Sequence, residues 1–165
     1  MSGRKPELKD FRKVSQSIER AAEWLQDAER HLELARREER DDHAESVAHS
    51  SKAVEFSAKS LLVLAGWEFP RSHEIGIGLE RVWQSLSGTD ADVVSKGKRH
   101  IARVGWLSDV VAPLQSISEY GFAGKSPTRL VNEGDAITFR SYGAEAVGIA
   151  QSALNGVKDG SLKLS

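Results

Sequence analysis

The sequence has no cysteine, which excludes disulfides, a thiol nucleophile and thiolate metal sites. It has no excess of either charge: Lys+Arg 23 against Asp+Glu 24 leaves a formal net charge of -1. Such a balance supplies no whole-molecule attraction to nucleic acid, although a local patch can still bind phosphate. Long apolar runs are absent as well. The longest, Leu61 to Ala65, is far too short to span a bilayer, so no membrane partner is expected. The basic N-terminal stretch MSGRKPELKDFRK is not followed by an apolar core of the signal-peptide kind, and the expected location is cytoplasmic. No alternating apolar/polar pattern lasts beyond a few residues, and there is no internal repeat or low-complexity tract.

What is there is helical periodicity. With 165 residues, the chain is expected to be one domain, 1–165, with a core over about 15–157. Val14, Ile18, Ala21, Ala22, Leu25, Ala28, Leu32 and Ala35 recur at helical spacing and predict a first helix over Ser15 to Arg37. Asp41 or Asp42 is placed to cap a second helix, about Asp42 to Leu64, rich in Ala and Ser and stopped by Gly66. Ile75, Leu79, Val82, Trp83 and Leu86 suggest a shorter third helix, weakened by Gly76 and Gly78. A fourth helix is expected from about Ala91 toward Ser118, capped by Thr89 or Asp90 and kinked or divided at Pro113. Tyr120 to Gly134 reads as a loop, a last helix starts near Asp135, and DGSLKLS reads as a loose tail. The fold class is therefore all-α, an up-and-down helical bundle of about five helices.

The run AESVAHSSKAVEFSAKSLLVLAGWEFPRSHEIG resembles the central signature of HEPN domains. The matching positions are Ala53, Glu55 and Lys59 in the second helix, Gly66 at its end, and the Ser72-His73-Glu74 element after it. The first helix with Trp24, Ala28 and Ala35 is similar too, as are YGF and the Asp135-Ala136 step near the end. The resemblance implies a homodimeric helical bundle of prokaryotic, cytoplasmic type. It further implies association with a small nucleotidyltransferase, often as a toxin–antitoxin pair. Some members of the family are metal-independent RNases, and nucleotide binding has been proposed for others.

The RNase branch carries Arg, four to six residues, then His, because metal-free cleavage must neutralise developing charge while a proton moves. The corresponding region here, PLQSISEYGF, has neither residue. Only His43 meets the spacing, with Arg37 or Arg36 before it, and they lie at the first interhelical turn. This departure favours a non-catalytic module over an RNase. Lys96, Arg99, His100 and Arg103 form the most basic helix face, suited to the phosphates of a nucleotide or RNA or else simply solvated. Glu55 and Lys59 stand one turn apart, as a structural ion pair or with Lys59 on phosphate. His73 reads as an anchor of the corner, Ser72 as a helix cap, and Glu74 as a carboxylate at a helix start. Glu45/His49 and Asp27/His31 are also one turn apart. With no second pair seen to converge on either, no metal is expected. No cofactor is expected beyond a possible nucleotide ligand.

Overall fold

Side-chain caps set out the helical frame of the protein in a computed structural model that describes residues 4–165. Residues 1–3, which belong to the basic N-terminal stretch and to the single-domain reading, lie outside the described residues. Ser17 accepts from the Arg20 N–H at 3.1 Å and starts α1 (Ile18–Glu38). Asp42 accepts from the Glu45 N–H at 3.0 Å and starts α2 (His43–Ala65). A short α3 (Leu79–Gln84) follows, and then Asp90 caps the long α4 (Ala91–Tyr120). After the single turn of α5 (Pro127–Leu130), Asn132 and Asp135 form a reciprocal capping box that opens α6 (Glu133–Asp159). Among the described residues the fold is all-α, with four long helices and two short ones.

Helix α2 is the central element, packed against α1, α4 and α6. Its small side chains make that possible. Ala21, Ala28 and Ala35 of α1 are fully buried, and Ser60 and Ser46 of α2 donate hydroxyl bonds to the Ala21 and Ala35 carbonyls at 2.7 and 2.8 Å. The two helices therefore run antiparallel, and residues equidistant from the 39–42 turn face one another. Gly66 ends α2 in the left-handed conformation (φ 79°), where a Cβ would press on the Val14 carbonyl. The buried apolar cluster extends from Phe11 to Leu164, wider at both ends than the sequence suggests.

Several sequence expectations are corrected. Val14 and Ile18 are 40% and 42% exposed, because Val14 precedes α1 and Ile18 opens it before the helix meets α2. The third helix is broken: Gly76–Gly78 is a 3-10 turn, α3 stops at Gln84, and Leu86 belongs to a short strand. The two glycines are there for space. A Cβ on Gly78 would overlap the buried Phe11 ring, and one on Gly76 would overlap the Gly105 carbonyl. Gly78→Ala is accordingly expected to cost about 1–2 kcal/mol in urea unfolding, since a filled core must shift. An unchanged midpoint would refute that packing.

Pro113 lies inside α4 without dividing it, at an exposed position where the missing hydrogen bond leaves its carbonyl partner open to water. The 120–134 segment holds α5 and a Phe122–Lys125 bridge, and α6 begins at Glu133, close to the expected Asp135. Two clasps complete the fold. Strand β1 (Arg12–Lys13) pairs antiparallel with β2 (Trp67–Glu68), and β3 (Leu86–Ser87) with β4 (Lys163–Leu164). The tail is thus tied down, with Leu162 and Leu164 buried.

Candidate functional site

The corner after α2 is built on a buried carboxylate. Glu55, 4% exposed, faces off the centre of α2 and meets two hydrogen-bond donors from different parts of the chain. Lys59 Nζ lies 2.6 Å from Glu55 Oε1, one turn along the same helix. His73 Nδ1 lies 2.9 Å from Glu55 Oε2, brought back by the turn at Gly66 and the bend through Pro70. A carboxylate can only accept here, so His73 carries its proton on Nδ1 and presents Nε2 outward. Lys59 Nζ also sits 5.1, 5.5 and 5.2 Å from the ring centroids of Trp24, Phe56 and Phe69. The ammonium is therefore engaged on every side described, which favours the structural role over phosphate binding. Ser72 Oγ accepts from the Glu74 N–H at 3.0 Å, a local turn bond; no regular helix starts at Glu74.

The side chain of His73 is 59% exposed at the lip of a cleft of about 680 Å³. Arg4, Lys5 and Arg71 contribute cations to this cleft, Asp10 and Glu74 carboxylates. Arg4 is tied to Glu7 at 2.7 Å, while Arg71 is exposed. Asp109 stands behind the cleft with its pKa raised by burial and then by the neighbouring Glu74 charge, Lys5 opposing.

A second cluster lies farther along the same side of α2, toward its N-terminus. Glu45 Oε1 is 3.1 Å from His49 Nε2, and His49 Nδ1 is 2.8 Å from His31 Nδ1 on α1. The two one-turn pairs noted in the sequence do converge, across the α1–α2 contact. The signal that would have found them is the position of the 39–42 turn, from which His31 and His49 are nearly equidistant. With Glu45 accepting from His49 Nε2–H, His49 accepts at Nδ1 and His31 donates. The pKa of His31 is lowered from 6.5 to about 4, first by burial and next by His49, with Lys52 and Arg30 adding and Asp27 opposing. Among the described residues, no group of three or more His, Asp or Glu is arranged to hold a metal ion.

The basic face of α4 is divided by its neighbours. Arg103 is committed to Glu145 of α6, with N–O distances of 2.8 and 3.3 Å, and stacks 4.5 Å from the Trp106 ring. Arg99 turns back to Ser95 at 3.2 Å. Lys96 and His100 border a cavity of about 460 Å³ between α4, α6 and the tail, with Val93, Ile101, Ile149 and Leu162 as apolar wall. Arg37 pairs with Glu33 on its own helix at 3.6 Å, and His43 opens α2; no hydrogen bond or ion pair joins the two.

Sequence reading missed the outward face of α4. Trp106, Val110, Ile117 and Tyr120 recur at i, i+4, i+11 and i+14 along it, with Leu114 at its flank. Trp106 is 49% and Tyr120 83% exposed, with Phe122 beside the helix end at 66%. No described element covers this stripe. Comparison with known protein families matches residues 21–125 to the model described as HEPN domain. No curated protein and no solved structure matches the chain.

Proposed function

The chain belongs to the HEPN domain family, and from that premise we propose that it is a non-catalytic binding module working as a homodimer. The observation that carries this reading is the apolar stripe of α4, with Trp106 and Tyr120 exposed at its two ends and Val110 and Ile117 half-buried between them. Contiguous exposed apolar surface of this kind marks interaction sites, and aromatic residues are enriched at their centres. The second copy of the chain is the occupant, in keeping with the dimeric habit of the family. The lack of an Arg–His pair at the end of α4 supports the non-catalytic part, as does the engagement of Arg37 by Glu33. The cavity beside Lys96 and His100 suits a nucleotide, whose base would take the apolar wall and its phosphate the Lys96 and His100 side chains. A small nucleotidyltransferase partner, in a toxin–antitoxin setting, fits the same reading; a gene for such an enzyme adjoining this one is the observation to seek.

Light scattering on the purified chain tests the assembly. Wild type is expected at twice the chain mass of 18.1 kDa, and Tyr120→Glu at 18.1 kDa with an unchanged helical circular dichroism spectrum. A monomeric wild type at micromolar concentration would remove the proposal. On the same sample, ATP at about 100 times its dissociation constant should add about 2.7 kcal/mol of stability. Loss of that gain in Lys96→Ala would place the nucleotide at the cavity, whereas no shift at millimolar ATP would dismiss it.

A further inference from the structure

We propose that His73 is a phosphoryl-acceptor site, an imidazole activated by Glu55 toward small phosphoryl donors of the acyl phosphate class. Four features of the corner point the same way, and none depends on the assembly described above.

The tautomer is fixed. Glu55 takes the Nδ1 proton of His73 at 2.9 Å, so the Nε2 lone pair is the free one, on a side chain 59% exposed. The carboxylate is paired with Lys59 at 2.6 Å and is 4% exposed, so its field reaches the imidazole with little screening by water. The imidazole is also steered, because Glu55 is on α2 and Pro70 and Ser72 fix the approach of the chain. Finally, the cleft it borders holds three cations, Arg4, Lys5 and Arg71, against two carboxylates, Asp10 and Glu74. Arg4 balances Asp10 through its contacts in the N-terminal segment, which leaves Lys5 and Arg71 to receive phosphoryl oxygens.

The step balances without a metal or a redox partner. The Nε2 lone pair forms the N–P bond as the P–O bond to the acyl oxygen breaks. The carboxylate of the donor leaves with the bonding pair. The proton on Nδ1 stays, and the positive charge that develops on the ring faces Glu55 across the existing hydrogen bond. A carboxylate already in place stabilises that charge with no reorganisation, which is the usual way a neighbouring group raises the nucleophilicity of an imidazole. His31 and His49 differ in this respect. They donate and accept between themselves, and burial holds His31 neutral with a pKa near 4.

The other histidines serve as internal controls. The full chain is incubated with acetyl phosphate at neutral pH, and each histidine is followed by mass spectrometry under alkaline handling, which preserves N-phosphoryl groups. His73 is expected to be labelled about tenfold faster than the carboxylate-free His43 and His100. Glu55→Gln is expected to lower the His73 rate about tenfold with His43 and His100 unchanged, and Arg71→Ala to lower it by a smaller factor. Equal labelling of His73, His43 and His100 in the wild type overturns the proposal, whether or not Glu55→Gln folds. A folded Glu55→Gln with an unchanged His73 rate overturns it as well.

Discussion

Glu55→Ala is expected to cost about 3–5 kcal/mol of folding stability, the range for removing one partner of a buried ion pair. The loss arises from what the substitution leaves behind. Lys59, with its side chain 14% exposed, would keep its ammonium among Trp24, Phe56 and Phe69 with no counter-charge. Cation–π attraction of about 0.5–2 kcal/mol offsets part of that cost and cannot replace a carboxylate at 2.6 Å. His73 would lose its anchor too, and with it the fixed path of the chain from Pro70 into the 3-10 turn. The pair itself is worth less than its removal suggests. Replacing both partners together, Glu55→Leu with Lys59→Met, is expected to leave stability within about 1 kcal/mol of wild type, because no charge is stranded. Urea unfolding of Glu55→Leu, of Lys59→Met and of the double variant measures the coupling directly. A Glu55→Ala loss below about 1 kcal/mol would mean that Lys59 reaches water instead.

Acid is expected to weaken the protein through His31 well before its surface carboxylates are protonated. The folded pKa of His31 is about 4 against 6.5 for the free side chain, so the folded state favours the neutral ring. Between those two values the unfolded chain binds the extra proton, and stability rises with pH. The contribution is full above pH 6.5, falls as the pH drops through that value, and is gone below about 4. A shift of this size corresponds to about 3 kcal/mol, and the partial exposure of His31 reduces it to about 2 kcal/mol by solvent screening. The groups facing the ring all agree with this sign except one: His49, Lys52 and Arg30 oppose protonation, and Asp27 favours it. His31→Phe keeps an aromatic ring against Phe56 and is expected to flatten the urea midpoint between pH 6.5 and 4 relative to wild type. Parallel pH profiles for the two proteins would show that the ring titrates freely.

The four long helices were legible because each carries its own local instructions. Asp42, Asp90 and Gly66 act within one turn of where they stand, and so does the apolar stripe of α1. What escaped was set by residues far apart in the chain. Leu86 looks like the last turn of a helix until Leu164 arrives to pair with it, and the tail looks loose until Leu162 and Leu164 find the core. Gly76 and Gly78 look like weak helix formers, although their cost is set by Gly105 and Phe11. At the candidate site the pattern is the same. The Glu55–Lys59 pair is local and was visible; its contact with His73, the meeting of His31 with His49, and the capture of Arg103 by Glu145 depend on tertiary approach. The α4 stripe is local, but its Val110 and Ile117 are of the same kind as the buried Ile101, Val104 and Val111, and only tertiary packing separates the two faces.

The two serine hydroxyls between α1 and α2 have a consequence for how many structures this hairpin can form. Ala21, Ala28 and Ala35 repeat every seven residues, so by shape alone α1 could slide along α2 by one repeat, about 10.5 Å, and meet nearly the same surface. Alanine against alanine does not distinguish the two placements. Ser60 and Ser46 do, since both find carbonyls at once only in the present alignment; after a slide of seven residues one of them meets the Ala28 carbonyl and the other passes the end of α1. A slide would therefore leave one hydroxyl without its present partner, at about 1–3 kcal/mol, enough to depopulate the shifted form about fivefold or more. Helix α2 thus owes its depth to small side chains, and its single register to the two of them, Ser46 and Ser60, that donate across to α1.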